Sequence, residues 1–272
     1  MKNQPSLICP VCREELVRNN KSLVCSNNHS FDIARQGYVN LLPVQQKHSL
    51  SPGDTKEMLL SRREFLDGGS YSPVCDSVIK ALSEYLPENP GVLVDVGCGE
   101  GYYTEKIHNS LDIDCVGIDI SKDGIKMACS RSCDILWLVA TASHLPIKNE
   151  SVGAVVAMFS ILMQEEYARV LKKGGIVAEV TVGSSHLTEL KSIIYDEVYP
   201  QHKHPEEPKK MFEELSCREL NFKTELDNKS LRALLMMTPH FWRIKEERRK
   251  MLESTPRLTV TADYYVRVLR KL

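Results

Sequence analysis

The stretch Val92-Leu93-Val94-Asp95-Val96-Gly97-Cys98-Gly99-Glu100-Gly101 decides the fold. Its first half is short, aliphatic and rich in β-branched residues, the pattern of a buried strand. Its second half sets three glycines at alternate positions, and a helix-like segment, Tyr102 to Ser110, follows at once. Strand, glycine turn and helix in that order bring the backbone close to a ligand at a helix N-terminus. A second strand-like run, Cys115-Val116-Gly117-Ile118, ends in Asp119, placed as an acid that holds ribose hydroxyls would be. Tight packing alone would account for the glycines but not for Asp119. The combination predicts a site for a nucleoside-containing cofactor.

The glycine spacing narrows the choice. A dinucleotide fingerprint reads G-x-G-x-x-G, its wider gap leaving room for a pyrophosphate. Here the spacing is G-x-G-x-G with an acid, Asp95, in the preceding strand. That form resembles motif I of the Rossmann-like methyltransferases, which bind S-adenosylmethionine. Strands are expected near 92–96, 115–119, 136–140, 153–159 and 176–182, alternating with helices. Such alternation predicts an α/β fold with a doubly wound, mostly parallel sheet. Gly174-Gly175 is expected to end a helix feeding the fifth strand. The alternating run Leu258 to Val268 is expected to close the sheet. Ahead of the core, helices are expected over Thr55–Phe65 and around Val74–Tyr85, after a polar linker from Gln45 to Asp54. Tyr199 to Lys210 turns polar and is read as an excursion over the substrate side.

At 272 residues the chain can build one substantial α/β body plus a small accessory unit. A net charge of −1 gives no global attraction to nucleic acid, so such contacts must come from local patches. The first residues form no hydrophobic signal segment, and no apolar run is long enough to span a bilayer. A cytoplasmic protein without membrane contact is the expectation. Of nine cysteines, Cys75, Cys98, Cys115, Cys129, Cys133 and Cys217 are scattered among apolar neighbours and read as small hydrophobes. Cys98 reads as a compact filler in the glycine loop.

The other three cysteines cluster at the front. Cys9-Pro10-Val11-Cys12 is followed by Cys25 and then His29, a C-x2-C-x12-C-x3-H pattern. Two ligands from one tight knuckle and two from a second turn supply the tetrahedral sulfur and nitrogen set that zinc prefers. The unit is too short for a core of its own, so the metal would supply folding free energy. Four protein ligands fill the shell and predict one structural Zn2+ rather than a hydrolytic one. Redox use of the C-x-x-C pair leaves Cys25 and His29 unexplained.

The whole set of motifs resembles one family. Cys-Pro-x-Cys, Cys25 with His29, Phe31-Asp32, Gly37 to Gln45, Pro52-Gly53-Asp54, Arg63, Phe65-Leu66-Asp67-x-Gly69 and Asp95 to Thr104 look like the large-subunit (23S) ribosomal RNA guanine-N1 methyltransferases. So do His186-Leu187, Glu189-Leu190, Met237-Thr238-Pro239 and Trp242-Arg243. The Leu-Leu-Pro-Val-Gln tract and Pro-Gly-Asp resemble the guanine-745-type branch, which acts in hairpin 35 of domain II, more than the neighbouring-guanine branch linked to macrolide resistance.

The resemblance implies a Rossmann-like class I methyltransferase fold with a small N-terminal zinc-binding domain. Residues 1–44 would be a zinc-binding RNA-recognition domain, 45–90 a linker and helices, and 91–272 the methyltransferase domain. S-adenosyl-L-methionine would be contacted by Tyr71, the Gly99-Glu100 backbone and His186. With the glycine loop and the ribose acid, the cofactor set is Tyr71, Asp95, Gly97, Gly99, Glu100, Gly101, Asp119 and His186. The implied partners are 23S ribosomal RNA and a second copy of the chain in a homodimer.

Two segments depart from the usual pattern. The fourth strand ends in Phe159-Ser160-Ile161-Leu162, without the proline common beside the sulfonium, and Ala140 to Pro146 lacks the acid often offered to the adenine amino group. A paired guanine hides N1, so the target must be splayed out and stacked, with Tyr102, Tyr103, Phe159 and Trp242 as candidates. Arg62-Arg63, Arg243, Lys245 and Arg248 to Lys250 could grip phosphates or only face solvent. No residue declares itself as the proton acceptor for N1. A small-molecule methyltransferase is the rival disfavoured by the zinc unit. A non-catalytic RNA-binding protein is disfavoured by the intact glycine loop.

Overall fold

Val92–Val96 is buried at all five positions, and Val152–Met158 at all seven. Strands apolar on both faces belong in the middle of a parallel sheet covered by helices on each side. That is where they lie. The computed structural model describes residues 5–46, 53–160, 162–198, 205 and 207–272.

A three-stranded antiparallel ribbon comes first: β1 (Val17–Asn19), β2 (Ser22–Val24) and β3 (Ser30–Asp32). An eight-stranded sheet follows, built from β4 (Val39–Asn40), β5 (Val92–Val96), β6 (Asp114–Asp119), β7 (Leu136–Val139), β8 (Val152–Met158), β9 (Leu171–Val182), β10 (Phe212–Asp227) and β11 (Arg257–Lys271). Its order is β10-β11-β9-β8-β5-β6-β7-β4. From β4 to β9 all neighbours run parallel, whereas β11 runs antiparallel to both β9 and β10. The chain winds outward from β5 in both directions, so a crevice opens beyond the C-terminal ends of β5 and β8.

The helices are α1 (Lys56–Asp67), α2 (Ser72–Tyr85), α3 (Tyr102–Leu111), α4 (Lys122–Ala128), α5 (Gln164–Val170), α6 (Thr188–Ile194), α7 (Asn228–Met236) and α8 (Glu246–Ser254). Thr55 caps α1 by accepting from the Met58 N–H at 3.3 Å, and Ser121 caps α4 through Gly124 N–H at 3.2 Å. Among the described residues no helix is long and apolar enough to cross a membrane.

The ribbon is fused to the sheet rather than tethered to it. Ile8 N–H donates to Pro146 O at 3.0 Å, Lys148 N–H to Ser6 O at 2.9 Å, and Leu41 N–H to Val139 O at 2.9 Å. Leu7, Leu16 and Leu23 share one apolar cluster with Val94, Val116 and Leu138. Each such side chain contributes roughly 1.5–3 kcal/mol by leaving water.

Two expectations change. The helix before the fifth strand ends at Val170, not at Gly174, because fully buried Leu171 already pairs with Val152. The glycines instead serve an irregularity between Val152 and Ala154 of the partner register, with Gly174 at φ +75°. The C-terminal strand does not close the sheet, since β10 pairs with it along nearly its whole length and takes the edge. β10 escaped the sequence reading because its outward face is charged. β3 belongs to the ribbon, while β4, a few residues on, joins the large sheet beside β7. Residues 47–52 of the linker, Ile161, and Tyr199 to His204 with Glu206 of the polar excursion lie outside the described residues.

Candidate functional site

The glycine loop sits at the tip of β5. Gly97, Gly99 and Gly101 have φ of +82°, +56° and +86°, a region that side chains resist. A Cβ on Gly101 would also approach Trp137 to 2.7 Å and Ala128 to 2.9 Å. Asp119, at the end of β6, accepts Gly99 N–H at 2.8 Å on one oxygen and Ser121 N–H at 2.7 Å on the other. A carboxylate oxygen can accept two bonds, so each keeps a position for an incoming hydroxyl. Burial pushes the Asp119 carboxyl above its ordinary value.

Asp95 is 2% exposed and takes Thr104 O–H at 2.5 Å. Burial, with the Asp119 charge adding to it, raises its pKa to about 7. Glu100 is buried and anchored, its Oε2 accepting Arg63 Nε–H at 2.9 Å and Arg131 Nε–H at 2.6 Å. Arg63 also donates to Met127 O at 2.8 Å, and Arg62 pairs with Asp54. Arg63 braces α1 against the loop, and both guanidiniums are engaged within the protein rather than laid out for phosphates. Cys98 packs over Gly117, and burial holds its thiol well above the ordinary value, as suits a filler.

A cavity of about 930 Å3 fills the crevice. Of the eight cofactor candidates, Tyr71, Asp95, Gly97, Gly99, Glu100, Asp119 and His186 line it, while Gly101 lies behind the loop as the α3 cap. Tyr71 is 4% exposed, packs edge-on to Phe65 at 4.8 Å, and is pushed up to about 12 by burial. His186 stands 4.6 Å from Tyr264, and its Nδ1 accepts Asp263 N–H at 3.4 Å, leaving the proton of the neutral ring on Nε2. The buried hydroxyl of Tyr103 lines the same cavity with no hydrogen-bond partner among the described residues. An orphaned buried donor and a cradle that only glycine allows fit a polar ligand such as S-adenosylmethionine.

The sequence reading missed Tyr264 and the Tyr195 hydroxyl bonded to His240 Nδ1 at 2.8 Å, both on the cavity wall. Neither carries a local motif. Phe159 follows β8 at the lip, 45% exposed, with φ +56° and its ring 5.3 Å from Tyr264. Ser160 O–H donates to Val96 O at 3.1 Å and fixes that turn against the glycine loop. Tyr102 is buried under the Arg131 guanidinium, 5.3 Å from its ring centre, and is spent on packing.

At the other end, the ligand atoms of Cys9, Cys12, Cys25 and His29 all lie within 4.8 Å of one another. Cys12 and Cys25 Sγ are 3.7 Å apart, and His29 Nδ1 is 3.6 Å from Cys9 Sγ and 3.4 Å from Cys25 Sγ. A tetrahedron with Zn–S bonds of about 2.3 Å has edges of about 3.8 Å, so the set fits one zinc ion. The knuckles close through Arg13 N–H to Cys9 O at 2.9 Å and Asn28 N–H to Cys25 O at 3.0 Å. The Glu14 backbone N–H draws the Cys12 thiol down to about 6, toward the thiolate a metal needs.

A glycine cradle at a switch point, a buried acid facing it and a closed Cys3His site define a zinc-ribbon protein with an S-adenosylmethionine-dependent methyltransferase core. Family profiles agree, residues 7–50 matching the N-terminal zinc ribbon described as "RlmA, N-terminal" and residues 93–175 a methyltransferase domain. A protein of Micromonospora griseorubida that bears the name "Putative 23S rRNA (guanine-N(1)-)-methyltransferase" is 32% identical over 68% of each chain. One of that name from Bacillus subtilis is 26% identical over 94% of this chain and 93% of its own. A 23S rRNA (guanine(748)-N1)-methyltransferase of Streptomyces fradiae is 28% identical over 87% and 85%. The chain belongs to the 23S rRNA (guanine-N1)-methyltransferase family. A solved structure from Bacillus halodurans, described as that of "a putative methyltransferase", matches 72% of this chain and 99% of its own with TM-score 0.50 at 15% identity, a likeness of fold.

Proposed function

We propose that the protein transfers a methyl group to N1 of a guanine in hairpin 35 of 23S ribosomal RNA, at the guanine-745-type position. The observation that carries this reading is a cavity that joins a nucleoside cradle to an exposed aromatic at its lip. At about 930 Å3 it stands near the top of the usual range for small-molecule sites, with room for a donor and a splayed-out base. The position within the hairpin rests on the Leu41 to Gln45 tract and Pro52-Gly53-Asp54.

S-adenosylmethionine, when bound, supplies a methyl on a sulfonium that departs as a neutral thioether. Asp119 would hold the ribose hydroxyls, and the Gly97–Gly99 backbone allows close approach. Ile120, next along the chain, gives an apolar wall for the adenine. Tyr71, Tyr103 and His186 would orient the amino-acid end. Phe159 would stack the target base, and closure of the cavity around it excludes water. In-line displacement needs this alignment, and the N1–H proton leaves to a base or to water as the N–C bond forms.

The reading extends to the rest of the chain. Residues 1–44 would engage RNA, 45–90 would join that unit to the core, and 91–272 would carry the reaction. The chain would work as a homodimer, which sedimentation tests. The deciding experiment incubates zinc-loaded protein and labelled donor with unmodified 23S RNA and maps the product. Label at guanine N1 of hairpin 35 is the expected result. Modification at the neighbouring guanine would move the chain to the other branch. Label on small molecules alone, or none despite donor binding, would overturn the proposal.

A further inference from the structure

Residues 228–256, inserted between β10 and β11, carry seven Lys or Arg against three Asp or Glu, in a chain whose net charge is −1; Lys229, Lys245, Arg248 and Arg249 are ion-paired, with Glu64, Asp196, Asp196 and Glu246. The insertion also roofs the cavity, since Met237, Thr238, His240 and Arg243 line it. These residues surround a single-turn 3-10 helix, Pro239–Trp242. On its other side that turn presents Trp242, which is 67% exposed. An exposed indole offers a flat face on which a base can stack.

The indole is held in place. It stands edge-on to Phe241 with ring centres 5.1 Å apart, and the Arg249 guanidinium covers Phe241 at 5.1 Å. The two rings close one side of a smaller cavity of about 370 Å3, whose other walls are Met58, Met236 and the first turn of α1. Lys56 and Glu57 give that rim a hydrogen-bond donor and acceptor. Arg232, Arg243 and Lys250 are exposed on the same insertion.

A flat apolar face, a polar rim and a cationic surround match one base of a single strand and its phosphates. A second copy of the chain fits poorly. A two-fold contact through this face would bring two basic insertions together. One turn of chain separates the two cavities, so bases held in them would be near neighbours along one strand.

We propose that Trp242 stacks a second base, flanking the target guanine, and that residues 228–256 form the surface gripping the single-stranded loop. This rests on the RNA substrate argued above and adds a second base site outside the methyl-transfer cavity.

Intrinsic fluorescence can test it, because the chain has two tryptophans and Trp137 is 2% exposed. Zinc-loaded full-length protein is titrated with a hairpin 35 RNA fragment in the absence of methyl donor. Quenching of the exposed emission, and its protection from acrylamide, are expected. W242A should bind that RNA about 5- to 100-fold more weakly, with W242F much closer to the parent. R232E and K250E should weaken binding and flatten its salt dependence. Donor affinity should stay unchanged in W242A, showing that the fold is intact. Unchanged RNA affinity in W242A, or acrylamide protection arising from a Trp242-dependent dimer without RNA, would overturn the inference. RNA-induced quenching without guanine-N1 methylation would sink the proposed reaction and leave this site standing. Methylation without quenching would do the reverse.

Discussion

At the scale of single residues, Phe159 and Asp95 each hold a state that their chemistry disfavours. A bulky side chain at φ +56° costs about 1–2 kcal/mol, and it persists because the Ser160 turn is locked to Val96. Strain at the cavity lip suits a residue that must present a flat face. F159G should therefore be about 1 kcal/mol more stable than F159A in chemical denaturation, against the ordinary order of glycine and alanine. Both should lose methyl transfer to RNA while keeping donor affinity, and F159Y should retain both. Asp95 makes a prediction about pH. Its carboxyl titrates near 7 when folded against an ordinary 3.8, so the folded form keeps a proton that the unfolded chain has lost. Its stabilising contribution is full below about pH 4 and fades as pH rises to about 7. D95N cannot lose that proton. Its stability should match the parent near pH 4 and exceed it above pH 7, by at most about 4 kcal/mol. A gap that does not change with pH would show that Asp95 is ionised throughout. Neither state was visible in the sequence, where Phe159 read as one of several aromatics and Asp95 only as part of a motif.

Among the elements, the cofactor cradle depends on a helix outside the core it serves. Arg63 on α1 reaches Glu100 in the glycine loop and Met127 O at the end of α4. Its removal leaves Glu100 to Arg131 alone. R63A is expected to cost about 1–3 kcal/mol of stability, less than a fully buried pair because Arg63 is 26% exposed. It should also weaken donor binding about tenfold in calorimetry, with little change in R62A. Equal effects of the two variants would remove the brace from the account. The strand-turn-helix of residues 92–111 was legible because its periodicity and glycines act locally. β10 was not, because an edge strand with a charged outer face carries half of the usual apolar signal.

For the whole molecule, the ribbon and the methyltransferase sheet share a core. Leu7, Cys9, Leu16 and Cys25 pack in one cluster with Val94 and Leu138, so the metal's folding free energy reaches the large sheet. Chelation should release one zinc per chain and lower the midpoint of a single calorimetric transition by at least about 10 °C. Two independent transitions would show instead that the units fold apart. The sequence by itself determined the Cys3His cluster, the parallel core and the glycine loop with the acid that faces it, because each depends on spacing within a few tens of residues. Tertiary structure alone decided that β10 takes the edge, that Arg63 is committed to Glu100, and that the insertion after β10 roofs the cavity with Trp242 turned outward. Those facts depend on contacts between distant segments, whose energies come from burial and pairing that no local pattern encodes.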